Sequence, residues 1–156
     1  MLIRLLAVGT RMPAWVEAGV AEYRKRLPPE IQFEIREINL AQRGKNADIA
    51  RALQQEGEAM LAAIGARDFV IALDVKGKSI STEQFAIELA KWQQNGDPVS
   101  ILVGGPDGLA ANCLERAQQR WSLSALTLPH PIVRVVFAEQ LYRAWSINSN
   151  HPYHRA

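Results

Sequence analysis

The chain has one cysteine, Cys113, and therefore no internal disulfide, which fits a reducing compartment such as the cytoplasm. It also lacks a long hydrophobic run. The longest, Ala59 to Ala66, is eight residues and includes a glycine, whereas a membrane span needs about 18. The N-terminus has an early Arg4 and a short apolar run interrupted by Arg11, which does not read as a signal peptide. Ten glycines and eight prolines are too few for a low-complexity chain. Charged residues make up 22%, close to the globular norm of about 25%, which argues against intrinsic disorder.

Common nucleotide and nucleophile motifs are missing as well. No G-x-G-x-x-G follows a strand-like run, no G-x-x-x-x-G-K-[ST] offers a phosphate cradle, and no G-x-S-x-G makes a nucleophile elbow. His151 and His154 have the H-x-x-H spacing of a metal clamp, but no third ligand is evident nearby, so no metal site is expected. Cys113 falls on an apolar stretch and is expected in the core.

What remains is a chain of 156 residues, 48% hydrophobic. Against roughly 150 residues per domain, residues 1–156 read as one soluble domain, and folding would bury about 68–70% of its surface. Net charge is +2, but it is uneven. Residues 1–119 carry 14 basic and 15 acidic side chains. Residues 120–156 carry Arg120, Arg134, Arg143 and Arg155 against Glu139, together with all three histidines, His130, His151 and His154. A basic, histidine-rich end suits an anionic partner such as RNA, although an ordinary solvated surface has the same look.

The pattern alternates strand-like and helix-like runs. Leu2 to Val8 reads as a strand ending at Gly9-Thr10, and residues 14–27 follow with helical spacing. Ile31 to Ile38 alternates, Ala41 to Asn46 reads as a loop, and a helix runs from about Asp48 to Ile64. Phe69 to Leu73 is a strand buried on both faces. Ser81 with Gln84 forms a capping-box signature, opening a helix that ends at Asn95-Gly96. Val99 to Val103 is the next buried strand, followed by a helix to about Gln119 and a strand over Ser122 to Leu128. A final helix from Ile132 to about Ser149 is apolar around most of its circumference. This order predicts an α/β fold: a mostly parallel sheet with helices on both faces.

Three segments carry the candidate chemistry. The turn Gly104-Gly105-Pro106-Asp107-Gly108 follows a buried strand, where an open α/β sheet binds its ligands. Glycines there permit close backbone approach, though a structural tight turn accounts for them equally. Ser122 to Pro131 mixes small hydroxyl residues with leucines able to sandwich a flat ring. It reads equally well as a strand entering a proline-started helix. The ending His151-Pro152-Tyr153-His154-Arg155 concentrates groups that stack on unpaired bases and grip phosphate, while packing remains open for Tyr153.

Together with Val8-Gly9-Thr10 and Arg43-Gly44-Lys45-Asn46, these segments resemble the ribosomal RNA large-subunit methyltransferase H family, one of the SPOUT methyltransferases. The resemblance spans essentially the whole chain, with the motifs in order. Asp107 stands where that family more often has Glu, and Ala110 where many members have Ser. The resemblance implies a C-terminal trefoil knot, which connection rules alone would not suggest. It implies methyl transfer from S-adenosylmethionine to N3 of a pseudouridine in 23S rRNA by a homodimer, and the apolar circumference of the final helix makes that helix the expected seat of pairing. It also implies cofactor binding by Leu73, Gly104, Gly105, Leu123, Ser124, Ala125, Leu126, Thr127 and Leu128. Tyr153, His154, Arg155 and His130 are the candidate catalytic residues, with Tyr153 to Arg155 expected to serve RNA binding and to matter little for folding. A cation such as Arg155 would favour the N3 anion, and His154 or His130 would accept its proton. No residue declares itself the base. A non-catalytic RNA-binding factor on the same fold is the competing reading, and a small-molecule α/β enzyme using another nucleotide is a third.

Overall fold

Val99–Val103 forms β4, buried at every position, and the sheet is built around it. The computed structural model describes residues 1–43 and 48–155. Their elements are β1 (Leu2–Val8), α1 (Ala14–Arg24), β2 (Gln32–Ile38), α2 (Ile49–Ala63), β3 (Phe69–Ser79), α3 (Thr82–Asn95), β4, α4 (Ala111–Arg116), β5 (Gln119–Ser122) and α5 (His130–Asn148). The strand order is β2-β1-β4-β3-β5, and every pairing is parallel. The α/β arrangement read from the sequence is therefore present. The loop reading of Ala41–Asn46 and the motif Gly44-Lys45-Asn46 fall partly or wholly outside the described residues.

Helices cover both faces. One core joins α1, α3 and α5 to the sheet through Val20, Phe85, Leu89, Phe137 and Leu141. A smaller one lies under α2 and α4, where Met60 meets Leu6, Leu102 and Cys113. Cys113 is fully buried. The larger core is aromatic at its centre: Phe137 lies 5.9 Å from Phe33 and 5.5 Å from Phe85, and Phe85 lies 5.4 Å from Trp121. Such ring pairs add about 0.5–1.5 kcal/mol beyond their buried area.

Several element boundaries differ from the sequence reading. The fourth helix stops at Arg116 rather than near Gln119, because β3 captures the chain early. Gln118 N–H donates to the Val70 carbonyl, and its side-chain oxygen accepts from Val70 N–H, both at 2.8 Å. The fifth strand is Gln119–Ser122, not Ser122–Leu128. There the hydroxyls turn the chain: Ser122 Oγ donates to the Ser124 carbonyl and Ser124 Oγ accepts from Leu126 N–H. Such local bonds compete with a sheet ladder, and Leu123–Leu128 becomes a loop. β3 runs past Leu73 to Ser79, with its register against β5 broken between Leu73 and Lys78. The capping box of Ser81 and Gln84 is formed in full.

No helix among the described residues is long and apolar enough to cross a membrane. Phe137→Ala, emptying a site with no solvent exposure, is expected to cost about 3–5 kcal/mol, readable as a lowered urea midpoint.

Candidate functional site

Three parallel strands that end side by side leave unpaired backbone groups at one edge of the sheet, and here β3, β4 and β5 do so around a cleft of about 800 Å3. Leu73 ends the regular part of β3, Val103 to Gly108 turn away from β4, and Leu123 to Leu128 leave β5. The start of α5 closes the cleft with His130 and Val133.

Of the nine residues expected to bind cofactor, Leu73, Gly104, Gly105, Leu123, Ser124, Leu126, Thr127 and Leu128 line this cleft. Ala125 is exposed and does not. Asp74, Val75 and Lys76, from the irregular stretch of β3, were missed, as was Arg120. Their signal was the polar run that follows Phe69 to Leu73. A side chain at Gly104 would strike the backbone of Gly108, so the turn needs glycine there to close. At Gly105 an added Cβ meets Val8 Cγ1 at 3.0 Å and Leu40 Cδ1 at 3.4 Å. A larger residue at Gly105 therefore presses on Val8 and Leu40 and strains the packing at the end of β1.

Arg43 latches the glycine turn. Its Nε donates to Asp107 Oδ2 at 2.6 Å, while Nη1 and Nη2 donate to the two Glu56 oxygens at 2.6 and 3.1 Å. Glu56 is only 4% exposed and also accepts from Ala41 N–H. The Glu56 hydrogen bonds, then those to Asp107, raise the Arg43 pKa further, so the guanidinium is permanently charged. Loop, helix α2 and turn are thus joined by one residue.

His130 sits against Gly9, whose φ of +127° and lack of Cβ leave room for the ring. Its Nδ1 is buried without a hydrogen-bond partner among the described residues. Burial, and then the nearby Arg134, lower its pKa below the usual 6.5, so the ring is neutral at pH 7. Arg134 is itself buried and donates to Glu37 and to the Gly9 carbonyl, each at 2.8 Å, pinning the first turns of α5 to β1 and β2.

The other three candidate catalytic residues are not brought into the cleft of their own chain. Tyr153 folds back on α5, where its hydroxyl donates to Glu139 at 2.9 Å. Glu139 lies about 14 Å along the helix from His130 at 1.5 Å per residue. The Tyr153 ring packs 4.6 Å from Tyr142 and under Arg143. Burial, then the Glu139 carboxylate, push its phenol pKa well above 10. His154 Nδ1 lies 3.4 Å from Arg143 Nη1. This corrects the expectation that the tail contributes little to folding: Tyr153 is a packed residue. His151 packs on Tyr142 and Trp145.

The family model "Predicted SPOUT methyltransferase" matches residues 1–154. SPOUT methyltransferases use S-adenosylmethionine, and the cleft fits that molecule. Its volume lies in the usual range for a ligand of that size. Leucines from two strand ends suit an adenine ring, Asp74 offers a carboxylate to a cationic ligand, and the unsatisfied His130 Nδ1 awaits a polar partner.

Arg43→Ala is expected to lower unfolding stability by about 3 kcal/mol, because the buried Glu56 carboxylate loses its partner. Adding Glu56→Gln should recover part of that loss in a double-mutant cycle. His130, with its pKa depressed in the fold, contributes stability that is present above about pH 6.5 and lost as pH falls toward the folded value. His130→Asn should flatten the pH dependence of stability over that window.

Proposed function

The chain belongs to the SPOUT methyltransferase family, and we propose that it methylates N3 of a pseudouridine in 23S rRNA of the large ribosomal subunit, with S-adenosylmethionine as donor. One observation carries this reading: the same chain combines a cofactor-sized cleft at three strand ends with a basic, aromatic tail held on α5. A plain RNA-binding factor has no use for the first, and a small-molecule enzyme has none for the second.

When bound, the donor supplies an activated methyl, its C–S bond breaking as the N3–C bond forms and a neutral thioether leaving. The protein's work is alignment and proton management, and alignment is worth about 7–11 kcal/mol. Leu73, Gly104, Gly105, Leu123, Ser124, Leu126, Thr127 and Leu128 would hold the donor, and the Arg43 latch keeps the turn in shape. N3 must lose a proton, and the neutral His130 at the cleft is the group in this chain placed to take it.

A homodimer completes the site. The tail does not line its own cleft, so a second copy must present Tyr153, His154 and Arg155 there. The apolar face for pairing is narrower than the sequence suggested. Val133, Phe137, Leu141 and Tyr142 are already buried within the chain, leaving Ile132, Val135, Val136 and Trp145 more open. Both α1 and α5 leave the carboxyl ends of strands, so they run in the same direction, and Gly19 of α1 meets Val135 of α5. Trp15, one turn before Gly19, therefore neighbours Ile132. These two are 59% and 39% exposed, and they form the centre of the proposed contact, in a cytoplasmic enzyme.

Calorimetric titration should show S-adenosylmethionine binding, and ribosomes from a deletion strain should accept one methyl. Absence of cofactor binding at millimolar concentration removes the enzyme reading. Tyr153→Phe, which removes the hydroxyl's bond to Glu139, should lower ribosome methylation at least tenfold with cofactor affinity retained. Mixing a tail-truncated protomer with a His130→Asn protomer should restore part of the activity; if neither mixture nor dimer is detected, the shared site is wrong.

A further inference from the structure

Next to the cleft lies a second cavity of about 400 Å3, between the end of β3, the edge strand β5 and α3. The two share Arg120. Arg120 and Lys78 are both exposed, and neither forms a salt bridge among the described residues. Glu88 is the one carboxylate in the cavity's lining, and Lys91 sits 3.4 Å from it. The cavity is therefore a cationic place beside the cleft already read as taking S-adenosylmethionine.

Its amides are oriented. Gln84 Oε1 accepts from Ser81 N–H at 2.8 Å, and Gln119 Oε1 accepts from Trp121 Nε1 at 2.8 Å. Both oxygens are engaged, so both side chains turn their NH2 groups to other partners. Two amide donors, two cations and the apolar wall of Ile87, 57% exposed, make a set matched to a ligand with carbonyl acceptors, negative charge and a flat ring. A nucleotide has all three.

We propose that this cavity holds a nucleotide of the RNA adjacent to the one being methylated. Its phosphate lies between Lys78 and Arg120, its base carbonyls meet Gln84 and Gln119, and its ring rests on Ile87. Arg120, on the boundary, marks where the RNA backbone passes from cleft to cavity. This rests on the RNA-methyltransferase reading above and adds how the strand is gripped by a chain with one domain.

The test uses Lys78→Ala and the charge-keeping Lys78→Arg in the full-length protein, since Lys78 lines the second cavity and not the cleft. With ribosomes as substrate, Lys78→Ala should raise KM about tenfold, with the effect on KM rather than kcat, and Lys78→Arg should restore it. With hexauridylate as a probe, the slope of log affinity against log salt should fall by about 0.7 for one lost phosphate contact. An unchanged KM and salt slope overturns the proposal, and so does a parallel loss of S-adenosylmethionine affinity, which would assign Lys78 to the cleft. If wild-type protein fails to methylate ribosomes while hexauridylate binding still depends on Lys78, the subsite stands and the rRNA reading falls.

Discussion

The placement of β4 between β1 and β3 is the constraint on which everything else rests. A strand buried along its whole length and paired in parallel on both sides must end with its last carbonyls and amides unused by the sheet. Its pairing with both neighbours stops at the same level, with Leu73 and Ala7 each opposite Val103. A buried polar backbone needs partners. The protein therefore either caps this edge or offers it to a ligand, and the glycine turn after Val103 leaves the edge open.

Two arginines, the half-buried Arg43 and the buried Arg134, hold it in a fixed shape. Arg43 draws together Glu56, Asp107 and the Ala41 carbonyl, while Arg134 draws α5 to Gly9 and Glu37. They act on opposite walls: Arg43 behind the glycine turn, Arg134 beneath His130. Both use the planar donor fork that lysine lacks. Neither reads as special in the sequence, where Arg134 is simply one polar residue of an apolar helix and Arg43 belongs to a short loop motif. Arg43 reaches Glu56 13 positions away and Asp107 64 away, and Arg134 reaches Glu37 and Gly9 97 and 125 positions away in the chain.

That distance explains which features were legible beforehand. Runs such as Val99–Val103 declare themselves because burial on both faces demands continuous apolar residues. Ser81 with Gln84 declares itself because a cap is a local bond. The segment after Trp121 misled, because Leu123, Leu126 and Leu128 satisfy a strand pattern while Ser122 and Ser124 bend the backbone through their hydroxyls. Leu123, Leu126 and Leu128 line the cleft, where the sequence reads equally as a ring-binding segment and as the approach to a proline-started helix. Asp74 to Lys76 escaped notice because a break in register is set by the partner strand. The knot and the pairing of two copies are implied by the family resemblance and by no pattern, since a tail's relation to a cleft is a matter of threading and pairing.

The tail shows how packing and chemistry meet. An isolated terminal Tyr-His-Arg would be mobile, and a mobile group gives little alignment. Tyr153 instead spends its hydroxyl on Glu139 and its ring on Tyr142 and Arg143, and Glu139 is further held by Arg143 at 2.7 Å. Three side chains of α5, Glu139, Tyr142 and Arg143, thus fix the tail's path; His154 lies beside Arg143, and Arg155 extends from that base. In that arrangement the tyrosine positions rather than stacks. A base that needed Tyr153 as its platform would have to break a network already satisfied by Glu139, Tyr142 and Arg143.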